Sequence, residues 1–225
     1  MRSATFPVTT YAHGVSIETI DPRPEPFETG PVRYRWTFTE MLVSSVIGLV
    51  AALVLSIEAI ALATDPFADL SCNINTVLSC GTVGASWQAS LLGFPNAYLG
   101  LIAEPVVITI AVAALGGTRF PRWFMNSAQV VYLIGLLFAF WLFYESYFVI
   151  GALCPWCLLV TLTTTTVFTS LLRVNILDNN LGLSQRTYTW LTSWLRAGAD
   201  TLGVIVIFAI LIAMIILKYG SALFG

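Results

Sequence analysis

Five long apolar stretches constrain this chain more than any other feature of its sequence. They run approximately over residues 41–63, 97–115, 128–143, 157–172 and 202–217, and the fourth has to begin near Gly151 to span a bilayer. A helix rises 1.5 Å per residue, so about 20 apolar residues cross the roughly 30 Å hydrocarbon core. Charged residues make up 10% of the chain, against about 25% in soluble domains. Because no segment shows the alternating pattern of barrel strands, the sequence predicts an all-α integral membrane protein.

The positions of the cations predict the orientation of these spans, because Lys and Arg beside membrane spans are retained in the cytoplasm. The segments 64–96 and 145–151 contain no Lys or Arg, and only Lys218 follows the fifth span. The N-terminus is therefore predicted to be cytoplasmic and the C-terminus to lie outside. Residues 1–40 are predicted to be a disordered cytoplasmic tail, with no apolar core of a signal peptide. The cations on the predicted inner side are Arg33, Arg35, Arg119, Arg122, Arg173, Arg186 and Arg196.

All four cysteines fall on the predicted outer side. Cys72 and Cys80 lie in the outer loop 64–96, and Cys154 and Cys157 form a Cys-Pro-Trp-Cys motif where the fourth span begins. Disulfides form and persist outside the cytoplasm. A disulfide within such a motif closes a very small loop and removes little chain entropy, so it is a poor structural brace. The positive end of the helix dipole also favours the thiolate, which is the attacking species in disulfide exchange.

Two structural interpretations of the cysteines stay open on spacing alone. They could form two inert disulfides, or a four-thiolate zinc site, although an oxidising compartment and the single close-spaced pair disfavour zinc, and no metal is expected. If the thiols are redox-active, their electrons need an acceptor. The sequence shows no haem, flavin or iron–sulfur pattern, so a lipid-soluble quinone is the expected acceptor.

The stretch CNINTVLSCGTVGASWQASLLGFPNAYLGL, residues 72–101, followed by CPWC, resembles the vitamin K epoxide reductase family and especially its bacterial members. The shared features are the loop cysteine pair, Ser86 six positions after the second cysteine, Asn96 with Gly100 four residues later, and the second pair at the fourth span. The resemblance covers roughly residues 40–175. It implies a catalytic four-helix transmembrane bundle over residues 41–175, in a bacterial inner or plasma membrane. The fifth transmembrane helix, predicted from its hydropathy over residues 202–225, lies outside the resemblance.

The resemblance also implies an electron relay. A thioredoxin-like disulfide-donor protein on the outer face would be oxidised by Cys72 and Cys80, with Cys72 receiving its electrons. Cys80 would then attack Cys154, and Cys157 would be released beside a quinone of the menaquinone, ubiquinone or phylloquinone type. No nucleic-acid partner is expected. Because the chain stops at Gly225, the partner is expected to be a separate protein.

Three further residues are candidates for quinone binding by resemblance. Asn96 matches the family position whose amide hydrogen-bonds a quinone carbonyl, and capping of the second span is the structural alternative. Ser86 is expected to act as a cap or bridge in the outer loop. Thr161 stands where members that reduce the vitamin K epoxide carry Tyr, which disfavours epoxide reduction and leaves quinone reduction intact. Glu104, deep in the second span, is a hypothetical proton route or a paired structural carboxyl.

Residues 176–201 are predicted to form a cytoplasmic amphipathic linker on the membrane surface, with Arg186 and Arg196 beside an apolar face. Two alternative functions remain. One is a DsbB-like oxidase, in which the close-spaced pair comes first along the chain, the reverse of the order here. The other is a non-enzymatic membrane protein whose disulfides brace its outer loops.

Overall fold

The computed structural model describes residues 34–65, 68, 70, 72–74 and 77–224, with side chains up to residue 220. Five helices in this part of the chain are long and apolar enough to cross a membrane, which confirms the predicted all-α membrane fold. Two shorter helices lie in the outer loop and after the fourth span. In chain order the helices are α1 (Arg35–Thr64), α2 (Cys80–Gly84), α3 (Ala97–Leu115), α4 (Arg122–Tyr144), α5 (Pro155–Leu177), α6 (Gln185–Arg196) and α7 (Ala199–Phe224).

Four of the five spanning helices are longer than the apolar stretches that predicted them, and α3 has the predicted bounds. Helix α1 begins at Arg35, so the prediction of a disordered tail up to residue 40 was wrong for residues 35–40, and residues 1–33 lie outside the described part. Helix α4 continues through a π-helical segment, Glu145–Ile150. Helix α5 begins at Pro155 rather than near Gly151, with Cys154 as its N-cap. Polar ends lengthen these helices because backbone hydrogen bonding does not stop where hydropathy falls.

Helices α1, α3, α4 and α5 form the four-helix bundle. Helix α1 packs on α3 and α5, and α4 packs on α5. The inward face of α1 carries the small buried residues Ser45, Gly48, Ala52 and Ser56. A Cβ at Gly100 of α3 would lie 2.7 Å from the Cβ of Ala52. Small residues therefore let the two helices approach closely, as is usual where lipid provides no hydrophobic drive for association.

At the end of the bundle away from the cysteines, two arginines connect neighbouring segments of the chain. The Arg122 guanidinium donates to the carbonyl oxygens of Asn179 and Asn180, which connects α4 to the turn after α5. Arg173 of α5 forms an ion pair with Asp200 of α7. Arginines of the predicted cytoplasmic side therefore gather at one end of the bundle, and the thiols lie at the other.

Helix α6 lies within the predicted amphipathic linker. The hydroxyl of Ser184 caps it by accepting a hydrogen bond from the backbone N–H of Thr187 at 3.4 Å. Trp190 and Trp194 are exposed, and their ring centroids are 5.4 Å apart. Exposed indole rings on a polar helix suit a membrane–water interface.

Helix α7 packs against the end of the bundle that holds the cysteines. The Tyr147 hydroxyl in the π-helical segment donates to the Met214 carbonyl at 3.0 Å, and Lys218 donates to the Tyr147 carbonyl. A buried cluster joins this helix to the bundle and to the segment before α5. Its members are Val77, Phe143, Tyr147, Leu153, Leu211 and Tyr219.

Candidate thiol–disulfide site

The four cysteines meet at one end of the bundle. Cys72 and Cys80 form a disulfide with a Cα–Cα distance of 5.6 Å. Cys154 and Cys157 are free thiols. The chain therefore holds one oxidised pair beside one reduced pair, which is an arrangement that disulfide exchange can act on.

A short β-bridge brings the two pairs together. Leu78 of the outer loop pairs in parallel with Leu153. The Leu153 N–H donates to the Val77 carbonyl at 2.7 Å, and the Ser79 N–H donates to the Leu153 carbonyl at 3.0 Å. These bonds place the Sγ of Cys80 3.2 Å from the Sγ of Cys154. The sulfurs are close enough for a new S–S bond to form with little movement of the chain.

Side chains of the outer loop fix the start of α2, where Cys80 lies. The Ser79 hydroxyl caps this helix by accepting from the Thr82 N–H at 3.1 Å. The side-chain Oδ1 of Asn73 accepts from the Gly81 N–H at 2.9 Å and from the Ser79 hydroxyl at 3.1 Å. Asn73 directly follows Cys72, so the same hydrogen bonds that hold α2 also hold Cys72 beside Cys80.

The N-terminus of α5 stabilises a thiolate at Cys154. Pro155 occupies the first helical turn, where its missing N–H is not needed. The Cys154 sulfur accepts a hydrogen bond from the Cys157 N–H at 3.3 Å. The Cys157 thiol, as the largest cause, and the N–H groups of Cys157 and Trp156 lower the pKa of Cys154, and they outweigh the opposite effects of burial and the Glu58 charge.

Three of the four cysteine residues are buried. Cys72, Cys80 and Cys154 are buried, with Cys72 only 5% exposed, whereas Cys157 is partly exposed. A partner thiolate therefore reaches Cys72 only after neighbouring side chains move. Burial also protects a mixed disulfide from unrelated thiols.

Residues 39–172 match the family model described as the vitamin K epoxide reductase family. The match covers more than half of the chain and includes all four cysteines. The chain belongs to the vitamin K epoxide reductase family. No relative was found among the curated proteins searched. Membership makes the chain an integral membrane oxidoreductase with disulfide-forming redox activity.

Asn96, a candidate quinone ligand by family resemblance, lies at the start of α3 but does not cap it with its side chain. Its Nδ2 instead donates to the Gln88 carbonyl at 2.6 Å. Its Oδ1 is buried with no hydrogen-bond partner among the described residues. A buried amide that keeps a spare acceptor and a second N–H fits the carbonyl or hydroxyl of a quinone or hydroquinone. Its role as a quinone ligand stays a prediction.

Ser86 and Thr161 both use their hydroxyl groups locally. Ser86 donates to the Val83 carbonyl at 2.6 Å and so bridges the outer loop after α2. Thr161 is buried one turn after Cys157 and donates to the Cys157 carbonyl at 3.0 Å. Their predicted contribution to quinone binding is therefore one of shape and support, and it stays a prediction.

Glu104 is buried in the middle of the bundle. The Tyr132 hydroxyl of α4 donates to its Oε2 at 3.3 Å. A Cβ at Gly48 would lie 2.9 Å from its Oε1, so the carboxyl fills the gap that this glycine leaves between α1 and α3. This environment suits the paired structural carboxyl, and the proton route stays a prediction.

Sequence reasoning missed two features of the site. The Gln88 side chain donates to Glu145 at 3.0 Å and ties the outer loop to the end of α4. The second feature is Glu58, which is buried against Cys72. Its position in an apolar span is the signal that could have identified it, because ionisable groups there are costly and often functional.

Proposed function

We propose that the protein is a membrane thiol oxidase that passes electrons from a thioredoxin-like partner through Cys72 and Cys80, and then through Cys154 and Cys157, to a quinone. The observation that carries this proposal is the 3.2 Å separation between the sulfurs of Cys80 and Cys154. This contact joins one sulfur of an existing disulfide to one sulfur of a free pair. Two inert braces have no need of such a contact.

The thiol steps balance as ordinary exchange reactions. A partner thiolate attacks Cys72, which breaks the Cys72–Cys80 bond and leaves its electron pair on Cys80. The partner's second thiolate then attacks the partner sulfur bonded to Cys72 and releases Cys72 as a thiolate. The partner leaves with a disulfide, and the loop pair is reduced. The Cys80 thiolate then attacks Cys154 of an oxidised Cys154–Cys157 pair and releases Cys157. Finally Cys72 attacks Cys80, which closes the loop disulfide again and releases Cys154 as a thiolate.

The N-terminus of α5 favours the last of these steps. The leaving sulfur is Cys154, whose pKa is lowered by the Cys157 thiol and the adjacent N–H groups. A thiol of low pKa is the better leaving group. The reduced Cys154–Cys157 pair that remains is the state described above.

The residues that would hold the quinone lie near the start of α3 and α5. Asn96 supplies a buried carbonyl oxygen and a second N–H, and Thr161 and Ser86 support the adjoining backbone. A quinone, when bound, accepts the two electrons and two protons that the cysteine pair gives up. The short Thr161 side chain is committed to the Cys157 carbonyl, which favours quinone over the vitamin K epoxide as the substrate class.

The charge distribution supports an outward-facing site. Arg122 and Arg173 lie at the end of the bundle opposite the cysteines, and cations are retained in the cytoplasm. The catalytic unit is proposed to be the bundle over residues 41–175, with residues 176–201 as a linker on the inner surface. Thiol oxidation at the outer face then serves the folding of exported proteins.

Quinone reduction by the purified protein tests this function. We expect the wild type to reduce a short-chain ubiquinone with either reduced thioredoxin or dithiothreitol as the electron source. Cys157→Ser removes the sulfur that must re-form the second disulfide, so it should lose both activities. Cys72→Ser should keep the dithiothreitol reaction and lose the thioredoxin reaction, and it serves as the matched control for folding.

One result would contradict the thiol oxidase function. Wild-type protein that reduces no ubiquinone or menaquinone analogue with either thiol, yet unfolds at a lower temperature after reduction, would identify the cysteines as structural braces.

A further inference from the structure

A buried carboxyl contacts the loop disulfide. Glu58 lies near the outer end of α1 and is 8% exposed. The Sγ of Cys72 is 3.3 Å from each of the two carboxylate oxygens of Glu58. A carboxyl group in an apolar span is costly to keep, and this one is held directly against a reacting sulfur.

Metal binding does not explain the Glu58 carboxyl while the two loop cysteines are oxidised. Glu58, Cys72 and Cys80 each present a ligand atom, and these atoms lie within 4.8 Å of one another. Thiolates are the cysteine form that binds metals. Because Cys72 and Cys80 are joined in a disulfide, neither offers a thiolate here.

We propose that Glu58 carries the proton of Cys72 during the relay: it accepts this proton when Cys72 closes the loop disulfide and returns it when the partner releases Cys72. This inference rests on the proposed thiol oxidase function and deepens it. Glu58 thereby becomes a fifth catalytic residue beside the four cysteines.

The proton and the electrons balance in the closing step. The step starts with a Cys80–Cys154 disulfide, a Cys72 thiol and a Glu58 carboxylate. Glu58 takes the thiol proton, and the Cys72 electron pair forms the bond to Cys80. The electron pair of the broken bond goes to Cys154. The products are the Cys72–Cys80 disulfide, a Cys154 thiolate and a protonated Glu58, whose O–H points to a sulfur within reach.

The same proton returns in the partner step. When the partner's second thiolate breaks the partner–Cys72 disulfide, the electron pair goes to Cys72. Protonated Glu58 then gives its proton to the Cys72 thiolate. Each turnover thus restores the Glu58 carboxylate and the Cys72 thiol, ready for the next closing step.

The two sulfurs of the loop disulfide contact different groups. Cys80 contacts Cys154, whose thiolate is stabilised by Cys157. Cys72 contacts Glu58. Among the described residues, Glu58 faces the sulfurs of Cys72 in the loop and Cys80 in α2, and its charge also acts on the thiols of Cys154 and Cys157 in α5. A base at Cys72 therefore activates the one thiol that has no helix N-terminus of its own.

Glu58→Gln tests the proposal, because the amide keeps the size of the side chain and removes its proton transfer. Glu40→Gln is the matched control, since it makes the same substitution in the same helix at the opposite end. The fully reduced protein is mixed with a short-chain ubiquinone and quenched with acid. Free thiols are then alkylated, and the disulfides are assigned by peptide mass spectrometry.

We expect the Cys80–Cys154 disulfide to accumulate in Glu58→Gln and to stay transient in the wild type and in Glu40→Gln. Reduction of ubiquinone by thioredoxin should fall by roughly 100-fold or more, which is the low end of a general acid–base effect. Reduction of ubiquinone by dithiothreitol should stay near the wild-type rate, because small thiols do not need Cys72.

Two results would overturn the proposal. One is a Glu58→Gln protein whose thioredoxin-driven rate and disulfide kinetics equal those of Glu40→Gln. The other is loss of both the thioredoxin and the dithiothreitol reactions without accumulation of the Cys80–Cys154 disulfide, which would assign Glu58 a structural role. Failure of the thiol oxidase function is separate, since the wild type itself would then reduce no quinone.

Discussion

At the scale of single residues, the site depends on the pKa of Cys154, which groups at the start of α5 lower. Its sulfur is the N-cap of the helix and receives hydrogen bonds that favour the charged form. Burial opposes this effect, and so does Glu58 whenever its carboxyl group is charged. The balance lowers the pKa of Cys154, so its thiolate persists at a pH below the usual range for a cysteine.

The pKa of Cys154 should respond to the side chain at position 157. Because the Cys157 thiol is the largest cause of the lowered pKa, Cys157→Ala should move the thiolate titration of Cys154 to higher pH. Cys157→Ser keeps a hydroxyl donor and should move it less, so it is the matched control. Ultraviolet thiolate absorbance, followed as the pH rises in protein with the loop disulfide intact, gives the midpoints. Equal midpoints in the wild type and Cys157→Ala would contradict the assigned cause.

At the scale of elements, close contact between α1 and α3 positions the site. Helix α1 carries Glu58 at the end near the cysteines, and α3 begins directly after Asn96. Their separation is set at Gly100, where a Cβ would meet the Ala52 Cβ at 2.7 Å. The glycine is therefore required for its small size rather than for an unusual backbone conformation.

Gly100→Ala should separate the two helices and destabilise the bundle. Overpacking of a tight contact costs about 1–3 kcal/mol, which we expect as a lower midpoint of thermal unfolding in detergent and as slower thiol-driven quinone reduction. Gly135→Ala is the control, because a Cβ at that helical position meets nothing within 4 Å. If both substitutions leave the midpoint unchanged, the close approach at Gly100 is not a constraint.

At the scale of the whole molecule, α7 supports a site to which it contributes no cysteine. The family match ends at residue 172, before α7 begins at Ala199. Tyr219 nevertheless belongs to the buried cluster that includes Leu153, the residue whose backbone bonds bring Cys154 to Cys80. The fifth span thus packs against the segment that aligns the two cysteine pairs.

Tyr219→Ala should weaken this support. Loss of a buried aromatic side chain costs on the order of 3 kcal/mol, and the Tyr219 hydroxyl also donates to the Tyr147 carbonyl at 3.2 Å. We expect a lower unfolding midpoint and a slower conversion of the Cys80–Cys154 disulfide after mixing with quinone. Leu217→Ala is the control on the same helix, since Leu217 is 86% exposed. Equal behaviour of the two variants would show that α7 is not coupled to the site.

The five spans, the family and the location of all four cysteines at one end of the bundle could be predicted from the sequence. These features depend on local properties: the hydropathy of a single segment, the motif around Cys154 and the positions of arginines along the chain. The ends of the helices were less accurate, because hydrogen bonding carries α1 and α5 past their apolar parts.

The groups that contact the sulfurs could be identified only from the packing of the folded chain. The approach of Cys80 to Cys154 depends on a bridge between Leu78 and Leu153, which are far apart in the chain. The contact between Glu58 and Cys72 depends on how the outer loop folds back over α1. No local pattern encodes either contact, because each is set by the relative position of segments that pack together only in the completed bundle.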